Sequence, residues 1–199
     1  MDFRQTHCFD DVLLTPKYSD IKSRSEVTLR SNLSPAISLD LPVISSPMDT
    51  VTEARMASTI QRLGGLGVIH RYNTIEQQTE LVKTVTAQGD TVAAAIGVTG
   101  DFLERSQEVV AAGADVICVD IAHGHHIMMK EALKKLRSFF PDELHIMAGN
   151  VATLQAFDDL ADWGANSIRV GIGGGSICST RIVTGHGVPT LQSVLDCSL

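Results

Sequence analysis

The sequence predicts an α/β fold: a parallel sheet wound with helices into a (β/α)8 barrel, with about six of the eight βα units carried by its 199 residues. Three observations predict it. Short runs rich in Val and Ile alternate with longer segments of helical periodicity, the pattern of parallel strands joined by crossover helices. The strand candidates are uniformly apolar, as strands covered on both faces are. Polar or reactive residues fall just after the C-terminal ends of several different strands, where barrels build their sites.

Taken in order, strands are expected at residues 41–45, 66–70, 92–98, 115–121, 145–149 and 167–172. Helices are expected at 53–62, 75–87, 102–112, 126–140 and 154–163, with a last one beginning near Pro189. Thr74 with Gln77, and Asp101 with Glu104, have the spacing of an N-cap and the third helical residue, while Gly64, Gly89, Gly113 and Gly164 stand where a left-handed residue closes a helix. The segments AGADVI at 112–117 and WGANSI at 163–168 read as one module used twice: helix end, glycine cap, strand. No linker or charge block interrupts the chain, so residues 1–199 are expected to form one catalytic domain, incomplete at its C-terminus because such barrels take about 250 residues. The alternative, an open doubly wound sheet, requires a Gly-rich fingerprint after its first strand; this chain has SSPMDT there, at 45–50.

Composition narrows the function. With 44% hydrophobic and 20% charged residues the chain can bury a core without a disulfide framework or structural metal. A net charge of -7 with scattered Lys and Arg excludes a nucleic-acid binder, which needs clustered cations for phosphate. The start from Met1 to Arg4 lacks the apolar run of a signal peptide, and no window approaches a membrane span, so a cytoplasmic protein is expected. Cys8, Cys118, Cys178 and Cys197 show no close pairing, which suits free thiols.

The chemistry concentrates after the last strand, in RVGIGGGSICSTRIVTGHGVP at 169–189. Consecutive glycines expose backbone N–H and C=O groups, so the loop can bind an anion through amides or a cation through carbonyls. Ser176 adds a hydroxyl suited to a phosphate oxygen. Cys178 follows, with the hydroxyls of Ser179 and Thr180 and the charge of Arg181, surroundings that favour the nucleophilic thiolate. A tight connection with a packing cysteine is the bland alternative. The cluster DIAHGHH at 120–126 suggests a carboxylate, Asp120, aimed at the site; its histidines lack the spacing of helical metal ligands. Asn150 closes the next strand, where an amide both donates to and accepts from a ligand.

FDDVLLTP at 9–16, SPMDTVTE at 46–53 and the loop from Gly173 to Gly187 resemble segments of the IMP dehydrogenase and GMP reductase family, and the likeness covers almost the whole chain. The resemblance implies a (β/α)8 barrel, often tetrameric, that acts on purine nucleoside monophosphates through a cysteine bonded covalently to purine C2. By position, Cys178 would be the nucleophile and Thr180 a catalytic hydroxyl. Ser176 would bind the nucleotide phosphate, Ser46, Met48 and Asn150 the ribose and base, and Asp120 the nicotinamide and ribose of the dinucleotide. The carbonyls of Gly173, Gly175 and Cys178 would face potassium. The chain departs from the pattern at Gly174, where the family has Pro or another restricting residue, so a floppier loop is expected; no CBS pair stands between Ala87 and Val92; and the chain stops after the sixth strand's helix.

TRIVTG at 180–185 and GGLGVIH at 64–70 are similar to dehydrogenases, implying NAD-dependent oxidation of IMP to XMP. The short form, KSRSEV at 22–27 and DIAHG at 120–124 are more similar to reductases, which use NADPH to deaminate GMP to IMP. A third possibility is a split barrel completed by a C-terminal polypeptide, or serving only as a binding or assembly module.

Overall fold

A computed structural model describes residues 4–140 and 144–198. The chain's start at Met1 to Phe3 and its final Leu199, both read above, lie outside the described residues. Six parallel strands curl into a half-barrel, in chain order and each hydrogen-bonded to the next: β3 (Ile44–Ser45), β4 (Leu66–Ile69), β5 (Val92–Ile96), β6 (Val116–Asp120), β7 (His145–Val151) and β8 (Ser167–Val170). Crossover helices connect them: α1 (Ala54–Arg62), α2 (Ile75–Thr86), α3 (Phe102–Ala111), α4 (Ile127–Phe139) and α5 (Leu154–Asp162). A hairpin of β1 (Ser31–Asn32) and β2 (Ser38–Leu39) precedes them, and α6 (Thr180–Thr184) and α7 (Thr190–Cys197) follow.

Two apolar layers follow from the period of two along a strand. Ile69, Val92, Ala94, Ile96, Ile117, Val119, Ile146 and Ala148 point outward and are buried under helix residues such as Val82, Val85, Val109, Leu133, Leu136 and Leu160. Their sequence neighbours Leu66, Val68, Ala93, Ala95, Val116, Cys118 and Met147 point inward, where Leu39 of the hairpin joins them with Leu33 and Ile37 against it. The inner layer is built of small residues at its centre, which suits the concave side of a curled sheet.

Helix punctuation agrees with the sequence at most positions. Thr74 and Gln77 make both bonds of a capping box, and Gly64, Gly89, Gly113 and Gly164 all have positive φ. The repeated module has a physical meaning. After each glycine cap, Asp115 or Asn166 donates its N–H to a carbonyl at the start of the preceding strand, that of Val92, first in β5, or of Ile146, second in β7, and its side chain accepts the N–H of that same residue. An Asp or Asn at this position thus starts each strand pair in register.

Four expectations are corrected. Asp101 holds the N-cap position of α3 as expected, but its side chain makes no capping bond; its carboxylate accepts instead from Arg105, which is buried and also bonds Gln78. The first and last strands are not covered on both faces: Ile44 is exposed and all of β8 is partly so, because each pairs on one side only. The strand expected over 41–45 is reduced to two residues. Sequence periodicity missed the hairpin, whose strands have two residues each, and α6, whose Ile182 and Val183 face outward. Among the described residues no helix is long and apolar enough to cross a membrane.

Gly67 marks the tightest packing of helix on sheet. A Cβ there would come within 2.4 Å of the Ala57 Cα in α1. Gly67→Ala therefore overpacks the α1–β4 contact and is expected to lower unfolding free energy by about 1–3 kcal/mol, read as a fall in the urea midpoint at unchanged slope.

Candidate active site

The inward parity of β6 and β8 sets the polar side chains of the site. On β6, Val116 and Cys118 point into the half-barrel, so Asp120 at the strand's end does too. From β8, Arg169 donates to the Asp120 carboxylate and lies 3.7 Å from the Cys118 sulfur. The pair reaches across β7 because Gly149 lies between them: a Cβ there would sit 2.6 Å from the Arg169 Cβ. Asn150, the next residue, ties three loops together. Its N–H donates to the Ile121 carbonyl (2.9 Å), its carbonyl accepts from Gly124 (2.7 Å), and its side-chain amide donates to the Gly171 carbonyl (3.0 Å).

Beyond β8 the glycine loop is held from two sides. Arg181 on α6 donates to the carbonyls of Gly173 (2.5 Å) and Gly175 (2.9 Å). Thr190, first residue of α7, fills the space beside Gly174, where a Cβ would lie 1.9 Å from its Oγ1. Gly174 is thus matched to Thr190, a contact in place of the looseness expected from the glycine alone. The Cys178 N–H donates to Gly175 (3.1 Å), closing a turn that presents the thiol.

The two cysteines near the site have opposite environments. Hydrogen bonding from Thr180, through its hydroxyl first and then its amide, holds the Cys178 thiol below the ordinary range, with smaller contributions from the amide and charge of Arg181. Burial pushes the Cys118 thiol up to about 12, against the pull of Arg169. Cys178 is half-buried, Cys118 fully buried.

A cavity of about 290 Å³ brings together Ser46, Met48, Asp120, Asn150, Gly173, Cys178 and Thr180 from the sequence-derived set. Among the residues it adds, Tyr72 and Arg169 carry an aromatic ring and a charge that the sequence reading did not assign to the site. Arg169 was legible as the one charge in an apolar strand, two residues from Ser167 on the same face; Tyr72 follows the end of β4, where sites form. Ser176 lines a neighbouring cavity of about 750 Å³ with Cys8, Asp10 and Arg181, and Gly173 borders both. The histidines after β6 have structural partners. His126 caps α4 by accepting from Met128, and His125 bonds Asp159 at 2.7 Å and stacks on Trp163. Among the described residues no three potential metal ligands converge.

Comparison with known proteins gives a consistent result. Residues 6–199 match the family model of the IMP dehydrogenase / GMP reductase domain. The inosine-5'-monophosphate dehydrogenase of Nitrosopumilus maritimus is 30% identical over 322 aligned residues, covering all of this chain and 67% of the relative. That of Borreliella burgdorferi is 36% identical, covering 94% of this chain and 58% of the relative. The GMP reductase of Buchnera aphidicola is 34% identical over 197 residues, covering 96% of this chain and 56% of the relative. The chain thus spans a little over half to two thirds of these proteins' lengths.

Two predictions follow from the loop. Cys178 should be alkylated by iodoacetamide far faster than Cys118 at pH 7.5, with a rate-against-pH midpoint below that of a free thiol; Thr180→Val moves the midpoint up, because the thiolate loses its first hydrogen bond. Gly174→Ala should slow Cys178 alkylation by displacing the loop, and adding Thr190→Ala should restore the rate, since it removes the Oγ1 that the new methyl meets.

Proposed function

Because the chain belongs to the IMP dehydrogenase / GMP reductase domain family, we propose that its smaller cavity binds a purine nucleoside monophosphate, IMP, and that Cys178 carries its NAD-dependent oxidation to XMP. The observation that supports this is the thiol itself: the only cysteine lining the cavity is the one whose environment favours the thiolate.

In this reading the Cys178 sulfur attacks purine C2, and a C–S bond forms to give a tetrahedral adduct. The C2–H bond then breaks with its electron pair leaving as hydride, and the C=N bond re-forms as a thioimidate. The nicotinamide ring supplies one thing when bound, acceptance of that hydride. Water adds at C2, the C–S bond breaks, and XMP leaves with one proton released and the thiolate restored. Thr180 hydrogen-bonds the sulfur in its anionic form, at the start and again as leaving group. Asn150 donates and accepts at the base or ribose, with Ser46 and Met48 lining the same cavity. Ser176 and Arg181 receive the phosphate across the glycine loop, with Gly173 between the two cavities. Asp120 keeps one oxygen on Arg169 and offers the other to a dinucleotide ribose hydroxyl.

The carbonyls of Gly173 and Gly175 are aimed at a positive charge, but that charge is the Arg181 guanidinium. Potassium does not fit the loop as it stands, since binding requires Arg181 to move away. Because β3 and β8 each pair on one side only, the proposal extends to assembly: a second copy of the chain, as in a homotetramer, or a polypeptide with further βα units covers those edges. A second reading, NADPH-dependent deamination of GMP to IMP, is favoured by the 197-residue alignment with a GMP reductase, which matches this chain almost residue for residue in length.

A 6-chloro analogue of IMP should label Cys178 alone, as read by peptide mass mapping. Cys178→Ala should abolish labelling and turnover while IMP still binds. NADH absorbance appearing with IMP supports the dehydrogenase; NADPH consumption with GMP, and none of the former, transfers the assignment to the reductase. Labelling at Cys118 in its place removes the covalent mechanism.

A further inference from the structure

Tyr72 is an aromatic side chain that lines the smaller cavity together with Cys178 and Thr180, and it is 59% exposed. Exposed aromatics are ordinary, but this one is held from behind. His70, at the end of β4 and 3% exposed, accepts the Tyr72 N–H on its Nδ1 at 3.1 Å and stacks on the Tyr72 ring, centroids 6.2 Å apart and 24° from parallel. With Nδ1 accepting, the other nitrogen carries the proton; it lies 3.5 Å from a Glu53 oxygen and 3.9 Å from an Asp49 oxygen without a hydrogen bond to either. Backbone and ring of Tyr72 are therefore both anchored to a buried group.

Arg71 stands beside it. Its guanidinium lies 5.3 Å from the Tyr72 ring centroid and against Gly97, its Nε is buried with no hydrogen-bond partner, and among the described residues no carboxylate pairs with it. The other two arginines of the site are answered, Arg169 by Asp120 and Arg181 by loop carbonyls. A cation without a counter-charge next to a stiffened, exposed aromatic is suited to a planar heterocycle carrying a phosphate: the ring stacks on Tyr72 and the phosphate pairs with Arg71.

We propose that Arg71 and Tyr72 form the ring-and-phosphate seat of the dinucleotide at the rim of the cavity. This rests on the preceding reading, in which the mononucleotide phosphate lies with Ser176 and Arg181 across the glycine loop, leaving the β4 rim to the second ligand.

The test is equilibrium binding to the full chain, by calorimetry and saturation-transfer NMR, with NAD, nicotinamide mononucleotide, nicotinamide riboside and IMP as probes. Tyr72→Leu should weaken NAD about five- to tenfold, the range expected for one lost stacking contact, and Tyr72→Phe should keep it within twofold. Arg71→Gln should weaken nicotinamide mononucleotide severalfold and leave nicotinamide riboside, which lacks the phosphate, unchanged. IMP affinity should stay within twofold throughout. NAD binding unaltered in Tyr72→Leu overturns the proposal while leaving the oxidoreductase reading intact. A loss of IMP affinity equal to that of NAD overturns the assignment to the dinucleotide. A wild-type chain that binds neither IMP nor NAD overturns the functional reading and this seat together.

Discussion

Arg169 projects from β8 into the concave side of a curled sheet, and its charge is answered two strands away by Asp120 on β6. Much of the site depends on that one pair. It requires Gly149 on the intervening β7, since any side chain there would meet Arg169. It fixes the cavity's carboxylate at the mouth and fills the space above Cys118 with a guanidinium. The two side chains retain 26% and 20% of their exposure, so the cost of removing one partner lies towards the lower end of the roughly 3–5 kcal/mol seen for buried pairs. The larger effect is on geometry, because Asn150 follows Gly149 and its three hydrogen bonds bind the loops after β6, β7 and β8 into one unit.

The glycine loop is organised by the complementary principle, contacts that exist because side chains are absent. Arg181 reaches two carbonyls and Thr190 occupies the place of a Cβ at Gly174, so a segment with three consecutive glycines is braced on both sides. What this bracing delivers is a thiol in a polar turn. Cys118 shows the contrast: the same functional group, with the Arg169 guanidinium 3.7 Å away, is pushed to about 12 because burial outweighs the attraction. Hydrogen bonding at a partly solvated position does for Cys178 what a nearby charge cannot do in the core.

How much of this was legible depended on whether the signal was local. The buried strands β4 to β7 and helices α1 to α5 were readable from apolar periodicity and glycine caps, because those elements are long and packed on one face. That Asp120, Asn150 and Cys178 share a cavity was readable because parallel barrels gather the residues after their strand ends, and Thr180 was readable from the glycine loop that carries Cys178. Asp101 was read rightly as the N-cap position of α3, but no spacing reveals that its carboxylate turns to Arg105, which the buried Gln78 of another helix also holds. The β1–β2 hairpin was invisible because two-residue strands carry no period. Tyr72 was missed for a different reason: an aromatic after a strand has no pattern of its own, and its meaning comes from His70 behind it and Arg71 beside it.

The distribution of charge completes the argument about ligands. The chain carries a net charge of -7, so an anionic nucleotide gains nothing from the molecule as a whole. At physiological ionic strength, charges more than about 8 Å away are largely screened, and the local arrangement decides. There the cations around the two cavities differ in how they are satisfied: Arg169 by a carboxylate, Arg181 by neutral carbonyl dipoles, Arg71 by an aromatic face alone. A carboxylate cancels a charge, a carbonyl pair only solvates it, and a ring does less. The electrostatic pull on an anion therefore rises from Arg169 to Arg181 to Arg71, a ranking that accords with the proposed placing of the base beside Arg169 and of the phosphates beside Arg181 and Arg71.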